Sequence, residues 1–125
     1  MTKEESLKKQ FKNAVARLKE VLQEEKTDIL RDSAIQRFEF AFDLAWKVLK
    51  EILEVEYGVA CASPKKCFRD AYKQGIITHD DLWMDMTDWR NAAVHTYNEE
   101  LADNLYEKLP RALEKFEYLE EQIKN

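Results

Sequence analysis

The chain has 125 residues, with 20 Lys and Arg against 25 Asp and Glu, a formal net charge of −5, and only two glycines and two prolines. The acidic balance argues against a general nucleic-acid binder, because phosphate contacts need clustered cations, though it leaves room for a local basic site. Sheets need turns, so the shortage of turn formers excludes a β-rich fold, and no apolar run nears the roughly 20 residues that span a bilayer. The expectation is one all-α domain over residues 1–125, an antiparallel bundle of about five helices. The opening Met1-Thr2-Lys3-Glu4-Glu5 does not read as a signal peptide, so a cytoplasmic location without membrane association is expected.

From Thr2 to Glu25 the residues Leu7, Phe11, Ala14, Leu18 and Val21 recur every three or four positions, the stripe of an amphipathic helix. A second helix is expected from near Asp28–Ser33 to Tyr57, where Gly58 supplies a stop. Its main stripe is Ile35, Phe38, Phe42, Ala45, Leu49 and Ile52, with Ala34, Ala41, Leu44, Val48 and Val55 alongside. A helix apolar over so much of its circumference touches several neighbours, which makes it the centre of the bundle. Glu39, Asp43 and Lys47 step by four along one of its faces; this row reads as a salt-bridged surface or as a polar strip facing a partner.

Cys61 and Cys67 have neither redox nor zinc spacing and read as reduced packing residues. Ser63-Pro64 opens a short third helix that stops at Gly75. It carries Lys65, Lys66, Arg69 and Lys73, the densest basic cluster in the chain, which is either simply solvated or a contact for RNA or a partner protein. Thr78-His79-Asp80-Asp81 resembles a capping box opening the fourth helix. His79 beside two aspartates lacks the further imidazole or thiolate that a metal site requires. Asn98 caps a last helix whose stripe is Leu101, Leu105, Leu109, Ala112, Phe116, Leu119 and Ile123, with Pro110 expected to kink or loosen it.

Between the last two helices lies Trp89-Arg90-Asn91-Ala92-Ala93-Val94-His95-Thr96-Tyr97, which gathers a guanidinium, an amide, an imidazole and a phenol. On a continuous helix a step of five turns about 140°, so Arg90 and His95 would not share a face. Either Arg90 reaches round, or the helix ends near Ala93 and turns His95 inward. No phosphate-binding glycine loop, no serine beside a base and no carboxylate cluster for Mg²⁺ accompanies these groups, so neither metal nor cofactor is expected. What they suit is metal-free acid–base chemistry, such as RNA cleavage by its own 2′-hydroxyl with Arg90 on the charged phosphorane. That reaction benefits from both a base and an acid, and a two-fold homodimer would supply two copies of His95. On residue types alone, the bland alternative is favoured: Arg90 and His95 satisfy carbonyls and acids of neighbouring helices.

Arg90-Asn91-x3-His95-x-Tyr97 resembles the Arg-x4-His-x-Tyr motif of HEPN domains, in the form paired with minimal nucleotidyltransferases. Ile35 to Lys47 resembles the central-helix signature of the branch called nucleotidyltransferase substrate-binding proteins, with Asp32 before it and Leu82-Trp83-x-Asp85-Met86 after it also fitting. The resemblance spans nearly the whole chain and implies two functions. In the toxin–antitoxin version the protein is a homodimeric, metal-independent endoribonuclease. Arg90 and His95 are then catalytic and Asn91 supports them, while a partner nucleotidyltransferase transfers AMP to Tyr97 to neutralise the toxin. In the other version the protein is a non-catalytic subunit that binds substrate for a separately encoded nucleotidyltransferase.

Overall fold

A computed structural model describes residues 1–124. It is all-helical: α1 (Lys3–Leu22), α2 (Asp28–Tyr57), α3 (Pro64–Lys73), α4 (Leu82–Ala92), a 3₁₀ turn (Ala93–His95) and α5 (Glu99–Ile123). None of the described helices is long and apolar enough to cross a membrane.

The helices start where their caps dictate. Thr2 Oγ1 accepts from the Glu5 amide at 3.1 Å, and Glu4 and Glu5 face the positive end of the α1 dipole. Thr27 caps α2 through the Leu30 amide, and Gly58 ends it in the left-handed region at φ 66°, a conformation that costs glycine little. α2 is the central element, packing against all four other helices. Its buried face runs from Ala34 to Leu53, while Val55 and Phe40 point outward. On α1 the buried stripe is Phe11, Val15, Leu18 and Val21, so the face is rotated from Ala14 towards Val15.

Six aromatic side chains connect the bundle in one series. Phe11 of α1 meets Phe116 of α5 edge-on, Phe116 meets Phe38, and Phe38 and Phe42 of α2 lead to Phe68 of α3. Phe68 then stacks on Trp83 of α4 with centroids 4.5 Å apart. Such pairs contribute roughly 0.5–1.5 kcal/mol each beyond the area they bury, and here they fix α4 against the centre. Near the start of α2 the buried Arg31 donates to Asp103 of α5 at 3.1 Å. Hydrogen bonds from Lys26, and then from Arg31, hold the Asp103 carboxyl below its usual range.

Three expectations are corrected. Cys61 and Cys67 form a disulfide: the chain doubles back at the α3 N-terminus and brings their Cα atoms to 5.3 Å, which spacing alone does not reveal. The fourth helix starts at Leu82 rather than at Thr78. The Thr78 amide donates instead to the Tyr118 hydroxyl of α5 at 2.9 Å, and Asp80 Oδ1 accepts from the Leu82 amide. Leu101 does not join the buried stripe of α5, which takes Ala102 and Leu105 instead; Leu101 is exposed. α5 runs through Pro110 as one helix, with the proline on its exposed side.

Candidate functional site

The last turn of α4 separates the two groups that the motif places five residues apart. Arg90 turns towards α2. Its Nε and Nη2 donate to the two carboxylate oxygens of Asp43 at 3.1 and 3.2 Å, and Nη1 lies 3.4 Å from Glu39. This two-pronged geometry is specific to a guanidinium. The bond from Asp43 raises the Arg90 pKa further, so Arg90 is a fixed cation. Burial pushes the Glu39 carboxyl above its usual range; the Arg90 charge opposes that and Asp43 reinforces it.

After Ala92 the helix tightens. Ala93 is buried, and Thr96 closes the turn through its Oγ1 and amide, both donating to the Ala93 carbonyl. Asn98 starts α5 by accepting from the Glu100 and Leu101 amides. The helix thus ends close to where the sequence allowed, and the short connector holds His95 and Tyr97 at the surface. Both are exposed, Tyr97 to 87%, and neither makes a hydrogen bond or ion pair among the described residues.

His95 and Tyr97 line an open groove of about 470 Å³ between the end of α4 and the start of α5, with Trp89, Leu101 and Lys108 as its other main walls. Lys108 lies 5.5 Å from the Trp89 ring centre and Arg111 5.9 Å, so α5 brings two cations to this corner. Neither Arg90 nor Asn91 lines the groove, and Asn91 is exposed. The fold therefore brings His95 and Tyr97 together and holds Arg90 against α2 on the same helix end.

Of the basic cluster on α3, Lys65 pairs with Asp88 at 2.9 Å and Lys66 with the buried Asp70 at 2.7 Å. Arg69 and Lys73 make no ion pair among the described residues and remain available to an outside anion. Arg69 also lines a smaller pocket beside Tyr72 and His79. His79 lies 3.4 Å from Asp81, and no cluster of three or more His, Cys, Asp or Glu suited to a metal ion occurs among the described residues.

Residue-type reasoning missed Asp43 and Glu39 as the partners of Arg90, and Lys108 and Arg111 as the cations beside Trp89. Charged residues stepping by four along the apolar α2 were a usable signal for the first pair. For the second there was none, because only the packing of α5 on α4 brings those side chains together.

Comparison with known proteins places this geometry in context. A curated relative, "Probable ribonuclease HepT" of Haemophilus influenzae, is 31% identical over 101 residues, covering 78% of this chain and 69% of the relative. A crystal structure from Thermus thermophilus superposes with a TM-score of 0.85 at 36% identity, over 92% of this chain and 99% of that one. A second structure, from Haemophilus influenzae, is described as revealing the fold of a substrate binding domain of a nucleotidyltransferase. It matches with a TM-score of 0.72 at 24% identity, over 98% and 97% of the two chains, a likeness of fold. The model of the family described as "Nucleotidyltransferase substrate binding protein like" matches residues 7–125, and the chain belongs to that family.

Proposed function

We propose that the chain is a metal-independent endoribonuclease whose active site is completed by a second copy, and that a partner nucleotidyltransferase silences it by transferring AMP to Tyr97. The observation that carries this reading is His95. A structural histidine at a helix end is expected to satisfy a neighbouring carbonyl or acid, as Arg90 does, yet His95 has no partner among the described residues and opens onto a groove that Lys108 makes cationic.

In the proposed reaction one His95 takes the proton from an RNA 2′-hydroxyl, whose oxygen attacks the adjacent phosphorus. The bond from phosphorus to the 5′-oxygen breaks, and His95 of the second copy protonates that leaving oxygen. The products are a 2′,3′-cyclic phosphate and a 5′-hydroxyl. Arg90 steadies the negative phosphorane with the N–H groups that Asp43 and Glu39 leave unused, and Asn91 supports it. Exposed Val94, Tyr97 and Leu101 give this corner apolar surface for a two-fold contact. Arg69 and Lys73 are the members of the basic cluster left to meet RNA or the partner.

A second reading, a non-catalytic subunit that binds substrate for a nucleotidyltransferase, is favoured by the description of the family. Incubating purified protein with RNA in EDTA separates the two. The ribonuclease reading expects cleavage by wild type that His95→Ala and Arg90→Ala abolish; RNA left equally intact by all three contradicts it. Co-expression with the nucleotidyltransferase should add the mass of AMP to wild type and not to Tyr97→Phe.

A further inference from the structure

A groove of about 500 Å³ runs along the seam of α1 and α2, separate from the one that His95 lines. Its lining includes two guanidinium groups, Arg17 and Arg37, and no carboxylate, in a chain with five more acids than bases. Arg37 Nη1 donates to the backbone carbonyl of Arg17 at 2.8 Å, which ties the Arg37 guanidinium to α1. About one helical turn along α2 from Arg37 stands Phe40, 58% exposed, with Leu44 beyond it. Asn13 and Gln36 add exposed amides to the lining, which have no hydrogen-bond partner among the described residues.

Two cations, an exposed aromatic face about one turn from Arg37 and solvent-open amides match the parts of a nucleotide. Guanidinium forks take phosphate, an aromatic ring stacks an unpaired base, and amides read base edges. An apolar protein helix laid in this groove would meet Ala14, Phe40 and Leu44 but would leave both arginines without an anion. Gln36 and Phe40 lie about 60° and 100° round α2 from Glu39, both on the same side of it, so the groove follows the helix face next to the one on which Glu39 contacts Arg90.

We propose that the α1–α2 groove binds single-stranded RNA, with Arg17 and Arg37 on phosphate and Phe40 under a base, and so guides the strand towards Arg90. This rests on the ribonuclease reading for its substrate, but its test does not depend on cleavage. Binding of a fluorescein-labelled single-stranded RNA is followed by anisotropy in EDTA, over a salt series, with every variant built on His95→Ala. Replacing Arg17 and Arg37 with Ala should weaken binding at least tenfold and flatten the slope of log K against log salt by about 1.4, since each phosphate contact on a single strand contributes about 0.7. Phe40→Ala should weaken binding roughly 5- to 100-fold and leave the slope unchanged. Arg17→Ala alone removes an exposed side chain, so weaker binding by that variant, with its melting temperature unchanged, cannot be assigned to misfolding.

Dissociation constants within twofold of the parent for all three variants would overturn the proposal. So would a shift from dimer to monomer in sedimentation velocity, which would assign this face to a second copy of the chain. If wild type fails to cut RNA while the groove variants lose RNA binding, the ribonuclease reading falls and the groove stands. If wild type cuts RNA and the variants bind as tightly as the parent, the groove falls alone.

Discussion

Arg90 and His95 lie on the same helix end and live in opposite circumstances. Arg90 is half-buried and held by two carboxylates of α2, whereas His95 and the neighbouring Tyr97 stand exposed with no partner among the described residues. A side chain that touches its own fold in three places serves stability whatever else it does. A side chain that touches nothing contributes little to the fold, so its presence calls for another use. The same nine-residue stretch thus holds one group whose structural role is visible and two that are open to contact with another molecule, as the proposed reaction requires.

Substitutions can break this contrast. The largest effect is expected from His95→Ala: loss of RNA cleavage by about 10²- to 10⁴-fold, the usual contribution of a general acid or base. Its thermal stability should stay within about 0.5 kcal/mol of wild type, as for surface changes generally. Arg90→Ala should lower cleavage by roughly 10²- to 10³-fold and, unlike His95→Ala, should also lower the melting temperature. The stability loss is expected to be only about 1 kcal/mol, because Arg90, Glu39 and Asp43 all keep contact with solvent that screens the pair. A His95→Ala variant that melted as early as Arg90→Ala would erase the distinction.

Asp43→Asn tests whether the clamp positions Arg90. It keeps the shape and one acceptor but gives up the charge, so cleavage should fall by roughly 10- to 100-fold, the scale of a small misplacement. A kcat effect with unchanged RNA affinity marks positioning; loss of affinity alone would mark a binding role. The smallest effect concerns Glu39, whose folded pKa is raised, chiefly by burial. A raised carboxyl stabilises the fold while protonated, below its unfolded value, and loses that contribution as pH rises through its folded value. Glu39→Gln should therefore gain melting temperature relative to wild type as pH rises from about 4 to 7, the range just above the ordinary carboxylate value. A relative loss over the same range would mean that the ion pair with Arg90 outweighs burial.

The bundle was legible in the sequence because its signals are local. Asn98 caps α5 where the pattern places it, Gly58 stops α2, and the stripes on α2 and α5 are largely the buried ones. The misreadings have distant causes. Thr78 was expected to cap α4, but Tyr118, 40 residues on, takes its amide. Arg90 finds Asp43 across 47 residues, and no period in the sequence reports such a pairing. The cysteines lie close in sequence, yet only the reversal ahead of α3 brings them together. At the site, the motif and the α2 block pointed to one corner of the fold. They did not indicate that the α2 block itself supplies the carboxylates that hold Arg90.

The most direct test is to identify the ends of RNA cut in EDTA. Acid–base catalysis by His95, through attack of the 2′-hydroxyl, predicts fragments ending in a 2′,3′-cyclic phosphate and beginning with a 5′-hydroxyl, and none from His95→Ala. Fragments with 3′-hydroxyl and 5′-phosphate ends, or the same fragments from wild type and His95→Ala, would contradict it.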